Sequence, residues 1–459
     1  SHKSYPQHST PRQKMPAYFP GISAARPAAA GGMPKIIAVI PRNNPSLPGQ
    51  SKTVTKPKTQ GEKFMREHYK RFARVFCAVV AAVQAVALYT QATLPNQFYV
   101  VAGQTLSIRS SLPITTQPAR DSLPGEAYDA PGNSYNVDLK LPGGIGVKQV
   151  QVQVVDRELV IPGGNPFGIK MFTEGVIVVG MSDISSGGKA QNPAREAGIR
   201  VGDIITSMDG RAVHTNEDVG QAVAASGGRP VAVALERAGR ELTFQLEPVQ
   251  GTDGVYRAGI WVRDSSAGIG TMTYYDPSTQ VFAGLGHAIC DVDTGEIMPL
   301  HSGEIVDVEI TGVNPGASGA PGELRGSFSG QATGELLVNS QVGIFGRGQA
   351  PEDHAQLVPL AMSSEVQEGP ATIYCTLEGQ QAQEYDILIE RISLAENNPT
   401  KNMVLQVTDP ALLEKAGGIV QGMSGSPILQ DGEMVGAVTH VFVNDPTKGD
   451  GIFAENMQR

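Results

Sequence analysis

Cysteine is scarce in this chain, with only Cys77, Cys290 and Cys375 among 459 residues. Three cysteines cannot staple a disulfide framework, although an oxidising compartment would allow one pair, Cys290–Cys375. No C-x-x-C and no pair of histidines at ligand spacing occurs, so no zinc site and no other cofactor is expected. Aromatic residues make up only 6% of the chain, whereas 54 glycines and 32 prolines indicate a β-rich protein with frequent turns. Basic charge is missing from most of its length. Residues 1–74 hold 14 Lys/Arg against 2 acids, a net of +12, while the remainder holds 22 against 43, a net of −21. A body of that sign repels a phosphate backbone, which argues against a nucleic-acid partner.

Residues 1–61 are rich in Pro, Ser, Gly and Lys without apolar periodicity. They read as disordered or as lying outside the translated chain, with Met15, Met33 and Met65 as alternative starts. Residues 62–94 place Lys63, Arg66, Lys70, Arg71 and Arg74 ahead of an apolar run from Val75 to about Leu94. A basic flank stays in the cytoplasm and the chain beyond the apolar run is delivered outside, so this segment is expected to be a signal peptide or signal anchor. Ala85–Ala87 offers a cleavage site for the first alternative. Residues 95–166 alternate with period two between Pro and Gly breaks, which predicts a small β module.

Residues 167–250 change texture. "GVIVVGM" reads as a buried strand, "NEDVGQAVAAS" as a helix, and hairpins are expected at Asp209-Gly210 and Ala238-Gly239. The stretch Ala194–Ile205, "AREAGIRVGDII", resembles a PDZ domain. That resemblance implies an added-strand site for an extended peptide, with the carboxylate loop around Thr173, Glu174, Gly175 and Val176. His214 reads as a surface hairpin residue. From residue 251 to 459, short strands between Gly/Pro turns continue for some 200 residues, the texture of a double β-barrel.

In that last region, "GMSGSP" at Gly422–Pro427 frames Ser424 between glycines. A serine hydroxyl attacks only when a base takes its proton and backbone N–H groups receive the oxyanion. A glycine two residues earlier lets the N–H groups of Gly422 and Ser424 point at one spot. The same frame recurs at Gly316–Pro321 around Ser318, so the partners must decide. Among His287, His301, His354 and His440, only His287 ends an apolar strand beside a turn, where a base is held rigidly. His301 and His354 read as loop or exposed residues, and His440 as a core or supporting one. Asp409 lies at a strand end 15 residues before Ser424 and is the candidate to orient the imidazole, against the plainer reading of an Asp-Pro turn. The order His287, Asp409, Ser424 is that of chymotrypsin-like enzymes, with histidine in the first barrel and serine in the second. Ser318 lies only 31 residues after His287 and before that aspartate, so its motif reads as a glycine-rich loop.

Taken with the PDZ-like stretch, "VIPGGNPFGIKM", "GLGHAICDVDTGEIMPLHSGEI" and "GGIVQGMSGSPILQDGEMVGAVTHVFVNDPTKGDGIF" resemble the SpoIVB peptidase family of endospore-forming bacteria. The resemblance runs from about Leu94 to Met457. It implies a mainly β chain, with a PDZ domain followed by a chymotrypsin-like double-barrel peptidase domain. It also implies Ser424 as nucleophile, His287 as base and Asp409 as the third member. The implied role is export across the forespore membrane into the space before the mother cell. There such a peptidase cleaves itself and a membrane-bound regulator of an intramembrane protease, which activates a late sigma factor. The PDZ domain would recruit a partner or restrain the enzyme by binding a peptide, its own included. Two other readings stand beside this one: a non-catalytic PDZ scaffold carrying a degenerate barrel, and a cysteine peptidase using Cys290. The second is poor, because Cys290 sits three residues from His287 in one turn and lacks a glycine-framed loop.

Overall fold

The computed structural model describes residues 60–108, 113–119, 130–351 and 356–458. The expectations for residues 1–59 and for His354 lie outside the described residues. Helix α1 (Gln60–Thr93) contains one stretch, His68–Thr93, long and apolar enough to cross a membrane. Its apolar face carries exposed Val75, Phe76 and Val79, as a helix meant for lipid or for export would.

A four-stranded sheet comes next, ordered β1-β4-β3-β2 from β1 (Gln97–Val101), β2 (Thr115–Pro118), β3 (Ser134–Leu141) and β4 (Ile145–Val155). In β4 the buried residues Val150, Val152 and Val154 alternate with more exposed glutamines, and they pack on Phe98, Val137 and Leu139. Period-two patterning therefore fixes which face of this module is core.

Strand β5 (Leu159–Pro162) leads into β6 (Pro166–Met181), a 16-residue strand that serves two domains. Its second half opens the PDZ-like domain. That domain continues with the short pair β7 (Ile184–Ser186) and β8 (Lys189–Gln191), helix α2 (Pro193–Ala197), β9 (Ile204–Met208), β10 (Arg211–Ala212) and α3 (Asn216–Ser226). The hairpin β11 (Val231–Arg237) and β12 (Arg240–Leu246) completes its sheet, and the short strands β13 (Val249–Gln250) and β14 (Tyr256–Arg257) lead out. Local chemistry sets these boundaries. Asn192 caps α2 and Gly198 ends it in the left-handed region, while Thr215 and Asp218 form a reciprocal capping box on α3. The expected hairpins turn where both Asp209-Gly210 and Ala238-Gly239 take positive φ. His214 stacks on His301, ring centroids 4.9 Å apart.

The first half of β6 pairs with β17 (Leu300–Asn314), and pairing continues through β18 (Glu323–Ser340), β19 (Gly343–Arg347), β16 (Val281–Gly284) and β15 (Ile260–Asp276). Because β15 pairs back onto β6, these six strands close a ring around Phe167, Met171, Phe282, Ile305 and Ile344. The short strand β20 (Val358–Pro359) extends the outer edge through β5. A second closed barrel contains β21 (Gly369–Cys375), β22 (Gln383–Ile392), β23 (Met403–Val407), β26 (Lys448–Phe453), β25 (Glu433–Val441) and β24 (Pro427–Gln430). Helix α4 (Pro410–Ala416) lies between β23 and β24. The molecule is thus mainly β as expected, with a PDZ fold and two barrels, the first of which draws β6 from the segment expected to be PDZ alone. Cys77, Cys290 and Cys375 are free thiols.

Candidate active site

Ser424 occupies the turn before β24, in the second barrel, and His287 lies just after β16, in the first. Glycines set how these two turns meet. Gly425 has φ +97°, and a side chain there would collide with the Thr271 carbonyl oxygen and come within 2.5 Å of the Leu285 nitrogen. The serine turn therefore rests directly on the segment that presents His287. Gly286, at φ +69°, is pressed against Thr439 and Ile452, both 2.9 Å from where its Cβ would stand. Leu285 itself takes φ +66°, a costly conformation for a bulky residue, and it immediately precedes this contact.

The hydroxyl of Ser424 donates to Thr439 O at 2.8 Å. The next residue, His440, packs its ring 5.2 Å from that of His287. On the other side, Thr271 fixes the turn twice: its N–H donates to Ser424 O at 3.1 Å and its hydroxyl to Gly422 O at 2.7 Å. Within the turn, the N–H groups of Met423, Gly425 and Ser426 are spent on Val420 O, Val438 O and Met423 O. Among the described residues, the N–H groups of Gly422 and Ser424 have no such acceptor. His287 Nδ1 lies 2.8 Å from Ala288 O. A carbonyl only accepts, so Nδ1 carries the proton and Nε2 keeps its lone pair.

Residues 254–458 match the SpoIVB peptidase S55 family, and residues 184–237 match the PDZ domain family. Residues 254–458 are thus a SpoIVB-type peptidase domain. A Clostridium perfringens protein, by name a zinc metalloprotease, is 35% identical over 69 residues, 15% of this chain and 21% of that protein. The chain thus spans about a fifth of that relative's length. The crystal structure of a PDZ domain from an SdrC-like protein of Listeria monocytogenes shares 21% identity. It covers 19% of this chain and 87% of its own, with a TM-score of 0.17.

In this SpoIVB-type peptidase, Asp409 is not joined to the imidazole. It is the N-cap of α4: Oδ1 accepts from Ala411 N at 2.8 Å and Leu412 N at 3.2 Å, and Oδ2 from Asp386 N at 3.4 Å. Asn caps a helix as well as Asp does, whereas Ala costs about 1 kcal/mol. Asp409→Asn is therefore expected to unfold within about 0.5 kcal/mol of the parent in urea titrations, and Asp409→Ala about 1 kcal/mol earlier. A rate loss confined to activity in the Asn variant would assign the carboxylate to His287. An unchanged rate leaves the tautomer to Ala288 O.

The loop expected at Thr173–Val176 falls on a bulge within β6. These residues lie inside β6, with Thr173 buried and its hydroxyl donating to Gly175 O at 2.6 Å, and with Glu174 N donating to Pro299 O. The ladder breaks there: Ile177 pairs with Arg263 and Phe172 with Ser265, so 173–176 bulge opposite Asp264, whose carbonyl accepts from the Thr173 hydroxyl at 3.1 Å, and Gly175 takes φ +80°. Ser318 is exposed and donates to Asn444 O at 2.9 Å in a tight turn between Ala317 and Ala320.

The residue that sequence reasoning underrated is His440. Among the described residues, its Nδ1 is buried without a partner. Burial first, then the neighbouring His287 and Lys401, push its imidazole down to about 4. Burial also lowers His287, against the pull of Ala288 O. Both rings are thus held neutral at pH 7. The unfolded chain takes up the His440 proton near 6.5, so falling pH favours unfolding. This contribution is whole above pH 6.5, declines between 6.5 and about 4, and is flat below. Urea midpoints of the parent and of His440→Asn should converge or cross over that window, and parallel pH profiles would refute the assignment.

Proposed function

We propose that this chain is an exported serine endopeptidase. Ser424 attacks the peptide carbonyl, His287 Nε2 takes its proton and returns it to the leaving amine, and the N–H groups of Gly422 and Ser424 receive the oxyanion. Asp409 is the carboxylate proposed to orient His287, although in this structure it caps α4. The observation that carries this reading is the pair of unspent N–H groups at Gly422 and Ser424, flanked on both sides by N–H groups that are bonded. The bonded neighbours leave these two donors available to an oxyanion.

The membrane-length helix supports delivery across a membrane, as a cleaved signal or an anchor. The family supports the finer role: cleavage of itself and of a membrane-bound regulator of an intramembrane protease, in the forespore–mother cell intermembrane space, leading to activation of a sigma-K type factor. The PDZ domain contributes peptide binding to that partnership.

One observation favours a second reading, a PDZ scaffold with an inert barrel. The Ser424 hydroxyl is given to Thr439 O rather than to an imidazole. A fluorophosphonate probe separates the two. An adduct on Ser424 that is lost in Ser424→Ala supports the peptidase, and no adduct on the folded parent supports the scaffold.

A further inference from the structure

The second half of β6 has two edges. One pairs with β9, through Val176↔Ile205 and Ile177↔Ile204. The other is the edge on which a PDZ domain receives an extended peptide, between this strand and the long helix. Here it is taken. Ile260, Trp261, Val262 and Arg263 of β15 pair antiparallel with Met181, Gly180, Val178 and Ile177. Ile260 and Val262 pack against the PDZ core, and Asp264 Oδ2 accepts from Asn216 N at the start of α3 at 2.9 Å. Strand addition with alternate aliphatic anchors is the mode by which such domains bind a partner.

We propose that Ile260–Asp264 is the resident ligand of the PDZ groove, and that its displacement by an extended aliphatic peptide releases the active-site turns. Two ties carry the coupling. Arg263 forms ion pairs with the buried Asp291 and, at 2.7 Å, with Asp293, in the loop directly after His287. Further along the same strand, Thr271 holds Gly422 O and Ser424 O. From Val262 to Thr271 is about 30 Å of extended chain. With both carbonyls pinned, the turn is held in the setting in which its hydroxyl donates to Thr439 O. Freeing β15 removes those restraints. This rests on the peptidase reading for its kinetic half only.

The test uses the full chain and a synthetic peptide copying residues 256–266. Hydrogen exchange should rise at least tenfold in 260–264 while 176–181 stays protected, and fluorophosphonate labelling of Ser424 should quicken at least fivefold. Val262→Ser, with a weakened anchor, should start exchange-fast, and the peptide should add less than twofold to its labelling. Unchanged exchange at saturating peptide overturns the proposal. Faster exchange with unchanged labelling overturns the coupling. Faster exchange with no labelling in any state overturns the peptidase reading and the coupling with it, and leaves only an occupied groove.

Discussion

Ser424→Ala is expected to lower kcat by on the order of 10⁶ while leaving the fold intact, because no other group in the turn can form the acyl-enzyme. The structural cost should be small. The substitution removes one hydroxyl, half-buried, and one hydrogen bond to Thr439 O. Losing such a bond costs about 1 kcal/mol. Thermal unfolding and hydrolysis measured on the same preparation therefore separate the two effects. Hydrolysis within tenfold of the parent, on folded protein, would remove Ser424 from the chemistry altogether. The neighbouring Ser426 is a useful control. Its hydroxyl is fully buried and unpartnered, so it has no route to a substrate, and Ser426→Ala should cost little activity.

Much of this site was legible in the chain because it depends on local rules. Glycines at 422 and 425 permit positive φ, and an apolar strand end presents His287; both are read from a few adjacent residues. The Asp-Gly and Ala-Gly hairpins are equally local. Asp409 shows where that stops. Asp-Pro before an apolar run fits a strand end that orients a histidine and also a helix N-cap, and only the partners decide. Thr173–Val176 is half legible for a related reason. Thr-Glu-Gly between two apolar runs marks the break in β6, but that the same strand continues into a barrel on one side of it is a tertiary fact. His440 offered no signal beyond its place after "VGAVT", because its importance comes from a ring 153 positions away in the chain. The occupied groove was least legible of all. "GIWVRD" reads as one more strand, and which edge it covers is a tertiary fact.

Gly425→Ala should be the most damaging single-methyl change in the molecule's active region. The backbone there has φ +97°, and a left-handed conformation costs an L residue about 1–2 kcal/mol. The new Cβ would also meet the Thr271 carbonyl oxygen and the Leu285 nitrogen, both backbone atoms that cannot rotate away. Overpacking of that kind typically adds about 1–3 kcal/mol, so a total of about 2–5 kcal/mol is expected in denaturant titrations. The consequence for chemistry is distinct from the consequence for stability. Gly425 is where the serine turn touches the segment that carries His287, so relief of the clash can only push the two apart. Activity per folded molecule should therefore fall by about 10² or more, as displacements of about 1 Å do. Gly432→Ala is the matched control: it has φ +83° but open space around it, so it should lose stability by the backbone term alone and keep its rate. If the two variants lost activity equally, the turn-to-turn contact would not be what aligns hydroxyl and imidazole.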